Sequence, residues 1–306
     1  RREHDADVVR RRLQRMFRDV LAPTDPSFAE GRGERAGTVA PQAVPENTYG
    51  QRQKLLFYLE RIEAFRQDRP PNEIRILDLG CGNGAAVSIP VASGGYQLVG
   101  IDVHEPSIDY ARQNNPYENV SFHLADLSDL EVADGFDVVL LSDILEHLDD
   151  PGKVLGKARS LLRPGGIVLV SIPNGFGPFE IESLLFRSEL VRRVWMDLIL
   201  GLPKTIHRLV KRIRQQRTGP GPPYNFESGH LQFFTMRRFS NMMRRCGFVD
   251  PEMRQGGILC GPFSDLFLNA VPGAIQMNLK LGRLVPQWLC SVWYFETRPR
   301  RSSTCP

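Results

Sequence analysis

A doubly wound α/β sheet is the fold this 306-residue chain predicts, and three observations predict it. Five short apolar runs recur between residues 74 and 172, with helical segments between them. The runs are continuous rather than alternating, as in parallel strands covered on both faces. A glycine-rich turn follows the first run and opens the first helix. Strand and helix repeated in this way build a parallel sheet with helices on both sides.

The five strands are Ile74-Arg-Ile-Leu-Asp-Leu, Tyr96-Gln-Leu-Val-Gly-Ile-Asp, Val120-Ser-Phe-His-Leu, Phe136-Asp-Val-Val-Leu-Leu and Gly166-Ile-Val-Leu-Val-Ser-Ile. The helices opening at Pro106 and after Pro151 place proline in the first turn, where its missing N–H has no intrahelical partner to lose. Further on, Thr235 to Cys246 reads as an amphipathic helix closed by Gly247, a C-cap signal. A sixth strand, Phe248 to Arg254, and a last one, Trp288 to Thr297, complete the rhythm.

Two excursions interrupt it. In the first, Leu184, Val191, Trp195 and Leu198 share one helical face; Ile206, Leu209, Val210 and Ile213 line another after Pro203, until Thr218-Gly-Pro-Gly-Pro-Pro breaks any helix. The second runs from Gly256 to Gln287. The chain therefore divides into residues 1–47, 48–173, 174–229 and 230–306, the last containing the excursion 256–287. The first of these is basic: Val9, Leu13, Met16, Phe17 and Val20 follow helical spacing, and residues 21–45 have no periodicity and read as a mobile arm.

Composition narrows the function classes. At 42% hydrophobic and 24% charged residues the chain is an ordinary globular protein, long enough for one large domain or two small ones at about 150 residues each. Lys and Arg number 39 against 35 acids, a net +4 that excludes a strongly basic nucleic-acid binder by bulk charge. Five cysteines without CxxC spacing suit free thiols in a reducing compartment rather than a disulfide framework or zinc ribbon. No run of 18 uncharged apolar residues occurs, so nothing spans a membrane and a cytoplasmic location is expected. Residues 203–217 carry six Lys or Arg and no acid. That stretch is a solvated face or an interfacial helix for anionic lipid, and it lacks the aromatic platform of an RNA clamp. The chain opens at Arg1 rather than a methionine, which leaves any upstream targeting signal unread.

The chemistry concentrates at strand ends. In Leu77-Asp-Leu-Gly-Cys-Gly-Asn-Gly-Ala, Gly80, Gly82 and Gly84 let the backbone turn tightly around Cys81 and Asn83 and approach a ligand. Gly80, Gly82 and Ala85 equally satisfy a dinucleotide fingerprint, so the glycines leave an NAD(P) oxidoreductase open. Asp78 tips the balance, because a carboxylate beside this turn repels a pyrophosphate and tolerates an ammonium and a sulfonium. The turn thus leans towards S-adenosylmethionine. Asp102 ends the second strand, where an acid accepts from ribose hydroxyls, and Asp126 follows the third, in reach of an adenine amino group.

These motifs resemble the class I S-adenosylmethionine-dependent methyltransferases, in particular the groups that include the ubiquinone-biosynthesis O-methyltransferases. The resemblance rests on Ile76-Leu-Asp-Leu-Gly-Cys-Gly-Asn-Gly, Val99-Gly-Ile-Asp, Ala125-Asp-Leu, Phe136-Asp-Val-Val-Leu-Leu-Ser-Asp-Ile-Leu-Glu-His-Leu and Leu162-Arg-Pro-Gly-Gly-Ile-Val-Leu-Val-Ser-Ile-Pro-Asn. It implies a Rossmann-like seven-stranded sheet whose last strand is antiparallel beside the fifth, with the two excursions forming a helical cap above the methyl group. It also implies that Asp78, Gly80, Gly82 and Asn83 hold the methionine end, Asp102 and Val103 the ribose, Asp126 and Leu127 the adenine, with Ser142 beside the cofactor. His147 is the first candidate for a base that deprotonates an oxygen acceptor and His230 the second. In some relatives a Glu-x-x-Glu-His segment and a later histidine hold a metal; the matching positions are Asp143, Glu146, His147 and His230. The expected activity is methyl transfer from S-adenosylmethionine to an oxygen of a small-molecule or lipid- or sugar-linked acceptor. A cofactor-binding sensor or scaffold is the alternative.

Overall fold

The computed structural model describes residue 47, residues 49–126 and 135–200, residue 223 and residues 229–300. The N-terminal helix from Val9 to Val20, Leu127 and the basic stretch 203–217 lie outside the described residues. The first described helix, α1 (Gln51–Arg66), precedes β1 (Arg75–Leu79), α2 (Ser88–Ala92), β2 (Gln97–Asp102), α3 (Glu105–Asn114) and β3 (Val120–Leu124). Then come β4 (Phe136–Ser142), a 3-10 turn (Leu145–His147), α4 (Pro151–Leu161) and β5 (Leu162–Pro173). The cap helices α5 (Pro178–Arg187) and α6 (Glu189–Leu200) follow, then α7 (Met236–Arg245), β6 (Glu252–Gln255), α8 (Pro262–Ala270), α9 (Ala274–Gly282) and β7 (Val292–Thr297).

The seven strands form one sheet in the order β3-β2-β1-β4-β5-β7-β6. Strands β1 to β5 pair in parallel, and β7 runs antiparallel between β5 and β6. Successive strand residues face opposite sides: Ile76, Val138 and Leu140 join the core under α1, α2 and α3, while Leu77, Val139 and Leu141 join the core under α4 and α7. Strand order reverses at β1, which opens a crevice at the carboxyl ends of β1, β2 and β4.

The expected strands and the Pro106 and Pro151 helices are present, with shifted ends. The sixth strand shortens to Glu252–Gln255. Gly247 turns the chain at φ +83, and Pro251 has no N–H to give a ladder. Phe248 keeps only an isolated bridge to Pro299. The last strand begins at Val292 because Pro286 opens a 3-10 turn that takes Trp288. The helical face drawn through Leu184, Val191, Trp195 and Leu198 is divided: Ser188 is extended, at φ −73 and ψ 120, and separates α5 from α6. The cap itself forms from both excursions. Glu182 of α5 accepts from the backbone N–H of Phe263 (3.0 Å) and Ser264 (2.8 Å) at the start of α8, where a carboxylate suits the helix dipole. Phe263 also packs against Phe186 and Trp195.

Candidate active site

Two adjoining hollows occupy the crevice. One, of about 330 Å³, is lined by Asp78, the turn from Gly80 to Asn83, Asp102, Val103, Ser142, Asp143 and His147, with Gln51 and Lys54 of α1 at one end. The other, of about 500 Å³, is lined by Ile101, Ala125, Asp126, Leu148 and Val154. Gly80, Asp102, Val103 and Ile144 border both, so a long ligand can bend from one to the other around the glycine turn.

Local chemistry fixes this turn. Gly80 has φ +74, and a Cβ there would stand 2.1 Å from Ile144 Cδ1. Gly82, at φ +54, would meet nothing within 4 Å and leaves the turn open to the cleft. Asp102 ties the turn to β2: its carboxylate accepts from the backbone N–H of Gly82 and of His104, each at 2.8 Å. Asn83 is turned to other partners, donating to the Pro223 carbonyl at 3.0 Å and capping Ala85 N at 3.1 Å. Pro223 belongs to the first excursion, and Ser107 also donates to its carbonyl, at 3.3 Å. Asp126 is exposed at the rim of the larger hollow.

Asp78 is 1% exposed. One carboxylate oxygen accepts from Ser88 Oγ at 2.5 Å, and the other is buried without a hydrogen-bond partner. Burial pushes its pKa up to about 6 against the Ser88 hydrogen bond and the nearby Lys54 charge. An orphaned buried carboxylate oxygen beside a glycine turn fits the ammonium of an amino-acid-bearing nucleoside.

The remaining chemistry sits on the turn after β4. Asp143, at φ +51, accepts from Lys54 Nζ and from Ser171 Oγ, both at 2.6 Å. Burial works to raise its pKa, but Lys54 and Ser171 outweigh it and hold the carboxyl below the usual range. Glu146 is 1% exposed, with one oxygen unpartnered. Burial, reinforced by the Asp143 charge, drives its pKa well above the carboxylate norm. The backbone carbonyl of Glu146 accepts from Leu231 N (2.7 Å) and Gln232 N (2.9 Å). That pairing carries His230 against His147, with ring centroids 4.9 Å apart. His147 Nδ1 lies 3.2 Å from the Gly229 carbonyl, and His230 Nδ1 lies 2.6 Å from Glu180 Oε1 of α5. Both partners accept, so in the neutral imidazoles Nδ1 carries the proton and Nε2 the lone pair.

The structure thus gathers Asp78, Gly80, Cys81, Gly82, Asn83, Asp102, Val103, Ser142 and His147 around one hollow, with Asp126 at the next and His230 behind His147. Gly84 supports the turn from behind, where a Cβ would strike Phe122. Sequence reasoning missed Gln51, Lys54 and Glu180. Lys54 had a readable signal: Lys54, Tyr58 and Ile62 recur every four residues on the buried face of α1, where a lysine is out of place unless it has a partner.

A parallel sheet with one antiparallel strand beside its fifth, a glycine turn at the switch point and acids ending β1 and β2 make a crevice of the kind that fits a nucleoside cofactor. Residues 71–205 match the family described as a methyltransferase domain. Among curated relatives, the ubiquinone biosynthesis O-methyltransferase of Ruegeria sp. is 32% identical over 151 residues, 48% of this chain and 58% of that protein. The protein of the same name from Mesorhizobium japonicum is 35% identical over 157 residues, 49% of this chain and 58% of that protein. The chain therefore spans 58% of the length of each of these relatives. A chain of the solved complex between the Haloferax volcanii Trm112 methyltransferase activator and the putative methyltransferase shares the fold. It has a TM-score of 0.50 at 13% identity, over 84% of this chain and 95% of that one.

Proposed function

We propose that this protein transfers the methyl group of S-adenosylmethionine to a hydroxyl of a small molecule carried on a lipid or sugar. The observation that supports oxygen as the acceptor is the histidine pair: His147 lines the cofactor hollow, and each ring is held by an acceptor at Nδ1. When bound, the cofactor supplies a methyl group already activated on a sulfonium. His147 takes the hydroxyl proton at Nε2 as the oxygen attacks, and its Nδ1–H stays on the Gly229 carbonyl. His230, oriented by Glu180, steadies the charge that develops on His147 and is the second base. The cap excludes water and brings acceptor and methyl into line. The curated relatives are named for O-methylation in ubiquinone biosynthesis, which supports the same acceptor atom.

A lipid-linked acceptor is favoured by the cap surface. Leu184, Leu190, Val194, Phe267 and Leu284 are exposed on the two excursions, and the basic stretch 203–217 follows α6 in sequence. Together they suit an anionic membrane face. Among the described residues no helix is long and apolar enough to cross a membrane.

A second reading rests on the unpartnered oxygen of Glu146. Ligand atoms of Glu146, His147 and His230 lie within 4.8 Å of one another, and one carboxylate with two imidazoles fits Mn²⁺ or Zn²⁺. An ion held there would polarise the acceptor oxygen. Asp143 does not join the cluster, because Lys54 and Ser171 engage its carboxylate.

The test is to incubate the protein with S-adenosylmethionine and phenols, catechols and sugars, free and lipid-tailed, following S-adenosylhomocysteine by mass spectrometry. Stoichiometric methylation of a hydroxyl is expected. Tight cofactor binding with no turnover on any hydroxyl would reject the transferase reading in favour of a sensor or scaffold.

A further inference from the structure

We propose that a third hollow, outside the cofactor crevice, binds a phosphoester flanked by hydroxyls, the chemistry of a sugar phosphate or a glycerophosphate headgroup. It measures about 610 Å³ and lies between the start of α4 and one face of α7. It shares Asp149 and Asp150 with the larger cofactor hollow and no residue with the smaller. Neither α4 nor α7 contains an acid, and α7 carries Arg237, Arg238, Arg244 and Arg245. Arg244 finds its acid outside the hollow, in Asp250 at 2.6 Å. The other three arginines line the hollow, and among the described residues Arg237 and Arg245 have no acidic partner. Asp150 is committed to capping α4, accepting from Gly152 N at 3.1 Å and Lys153 N at 3.2 Å. Three guanidinium groups so gathered repel one another until an oxyanion lies between them.

The spacing suits a phosphate. Arg237, Asn241 and Arg245 recur every four residues and form one stripe of α7. At about 1.5 Å per residue the two arginines start about 12 Å apart with Asn241 midway, so both side chains can close on an oxyanion centred over Asn241. Arg238 is held in place beforehand: it donates to Gln232 Oε1 at 2.8 Å and to the Phe233 carbonyl at 3.3 Å, with its guanidinium 5.8 Å from the centre of the Phe234 ring. Gln232 is itself fixed, donating to the carbonyls of Leu148 and Asp149. The guanidinium fork matches phosphate oxygens, and Arg238 keeps donors to spare. Asp149 accepts from hydroxyls and repels an unbroken run of phosphates, which favours a phosphorylated polyol over a nucleic-acid backbone.

The probe is glucose 6-phosphate, titrated calorimetrically into the full chain with glucose as the uncharged control. Wild type should bind the phosphate at least about tenfold more tightly than glucose, as charge-assisted hydrogen bonds require. The double variant Arg237→Gln, Arg245→Gln, at two exposed positions, should raise the Kd at least about tenfold. Arg244→Gln removes a charge from the same helix outside the hollow and should leave the Kd within about twofold. Saturating S-adenosylhomocysteine should leave it unchanged. Displacement of glucose 6-phosphate by phosphatidylglycerol vesicles would support the site and assign it to a lipid headgroup. Retention against vesicles would support it and assign it to a soluble phosphoester. A loss with Arg244→Gln as large as with Arg245→Gln alone would overturn the proposal, because net charge would then explain the binding. Competition by S-adenosylhomocysteine would overturn it by placing the phosphate in the cofactor crevice. So would a wild-type protein that binds glucose 6-phosphate no better than glucose, a measurement that needs no variant.

Discussion

The ring of His230 stands edge-on to the ring of His147, with centroids 4.9 Å apart and planes inclined at 68°. Two residues far apart in sequence meet because the segment entering α7 pairs with the backbone of Glu146. The cap contributes Glu180 from the other side. Core and cap thus meet at the histidine pair.

The histidines should therefore act on turnover and not on cofactor affinity. His147→Asn is expected to lower kcat by about 10²- to 10⁴-fold, the usual contribution of a general base, with the Kd for S-adenosylhomocysteine within a few-fold of wild type. Glu180→Gln, which keeps the shape but loses the charge, should lower kcat less. The measurement is steady-state kinetics on the acceptor found by the screen, beside calorimetry on each variant. Loss of cofactor binding in His147→Asn would assign the ring to the cofactor instead.

Asp102 organises the site twice over. Its oxygens already accept from Gly82 N and His104 N, and the face it turns to the hollows is the one proposed for the ribose. Asp102→Ala should raise the Kd for S-adenosylhomocysteine at least about tenfold. Two backbone donors lose their acceptor, so it should also lower stability by about 1–3 kcal/mol. A thermal melt of the cofactor-free protein separates the two effects, and an unchanged Kd would remove the ribose role.

Asp78 gives the site a pH dependence with a definite sign. In the folded protein its pKa stands at about 6, above the ordinary carboxylate value of 3.8. The folded state therefore binds more protons than the unfolded one between those values. Its stabilising contribution is whole below pH 4 and is lost as pH rises through 6, about 3 kcal/mol in all. Cofactor binding runs the other way, since an ammonium prefers the ionised carboxylate. Affinity for S-adenosylhomocysteine should fall up to tenfold per pH unit below about 6. Asp78→Asn should flatten that profile and raise the melting temperature of the cofactor-free protein at pH 7. Calorimetry from pH 5 to 8 checks the first and melts check the second.

Much of this site was legible because the relevant residues sit at strand ends. Asp78 and Asp102 lie at the carboxyl ends of their strands and Asp126 two residues past the third, and the sheet places those ends side by side. The glycine turn was legible because Gly80 and Gly82 adopt positive φ. Lys54 and Glu180 were hidden for a physical reason: each pairs with a residue distant in sequence, Asp143 and His230, and no local periodicity reports such a pairing. The sixth strand was overextended because apolar Phe248 and Val249 outweighed Pro251 in the pattern. The break at Ser188 was missed because helical spacing alone carries no signal for a single extended residue.

The apolar cap surface can be altered without harming the core. Leu184 and Leu190 are 68% and 71% exposed, so the double variant Leu184→Gln, Leu190→Gln should keep its stability within about 0.5 kcal/mol per site. Wild type is expected to co-sediment with phosphatidylglycerol vesicles at low salt and to be released at high salt, as basic interfacial segments are. The double variant should bind several-fold less. Absence of wild-type binding at low salt would discard the membrane face and leave a soluble acceptor.

The histidine cluster separates its two readings through Glu146. Without an ion, burial keeps this carboxyl protonated far above the usual range, and a neutral carboxyl attracts a cation weakly. An ion that bound well would have to displace that proton, so its affinity would climb steeply with pH. It would also stabilise the fold by about 2.7 kcal/mol at 100 times its Kd. The proton-transfer reading expects neither: melts with Mg²⁺, Mn²⁺ or Zn²⁺ at pH 7 should match those in chelator, and chelated protein should keep its turnover. Glu146→Gln then becomes decisive. Its amide preserves the size of a protonated carboxyl, so under proton transfer by His147 it should retain most of kcat. A metal site would lose its only carboxylate ligand and with it both the stabilisation by the ion and the activity.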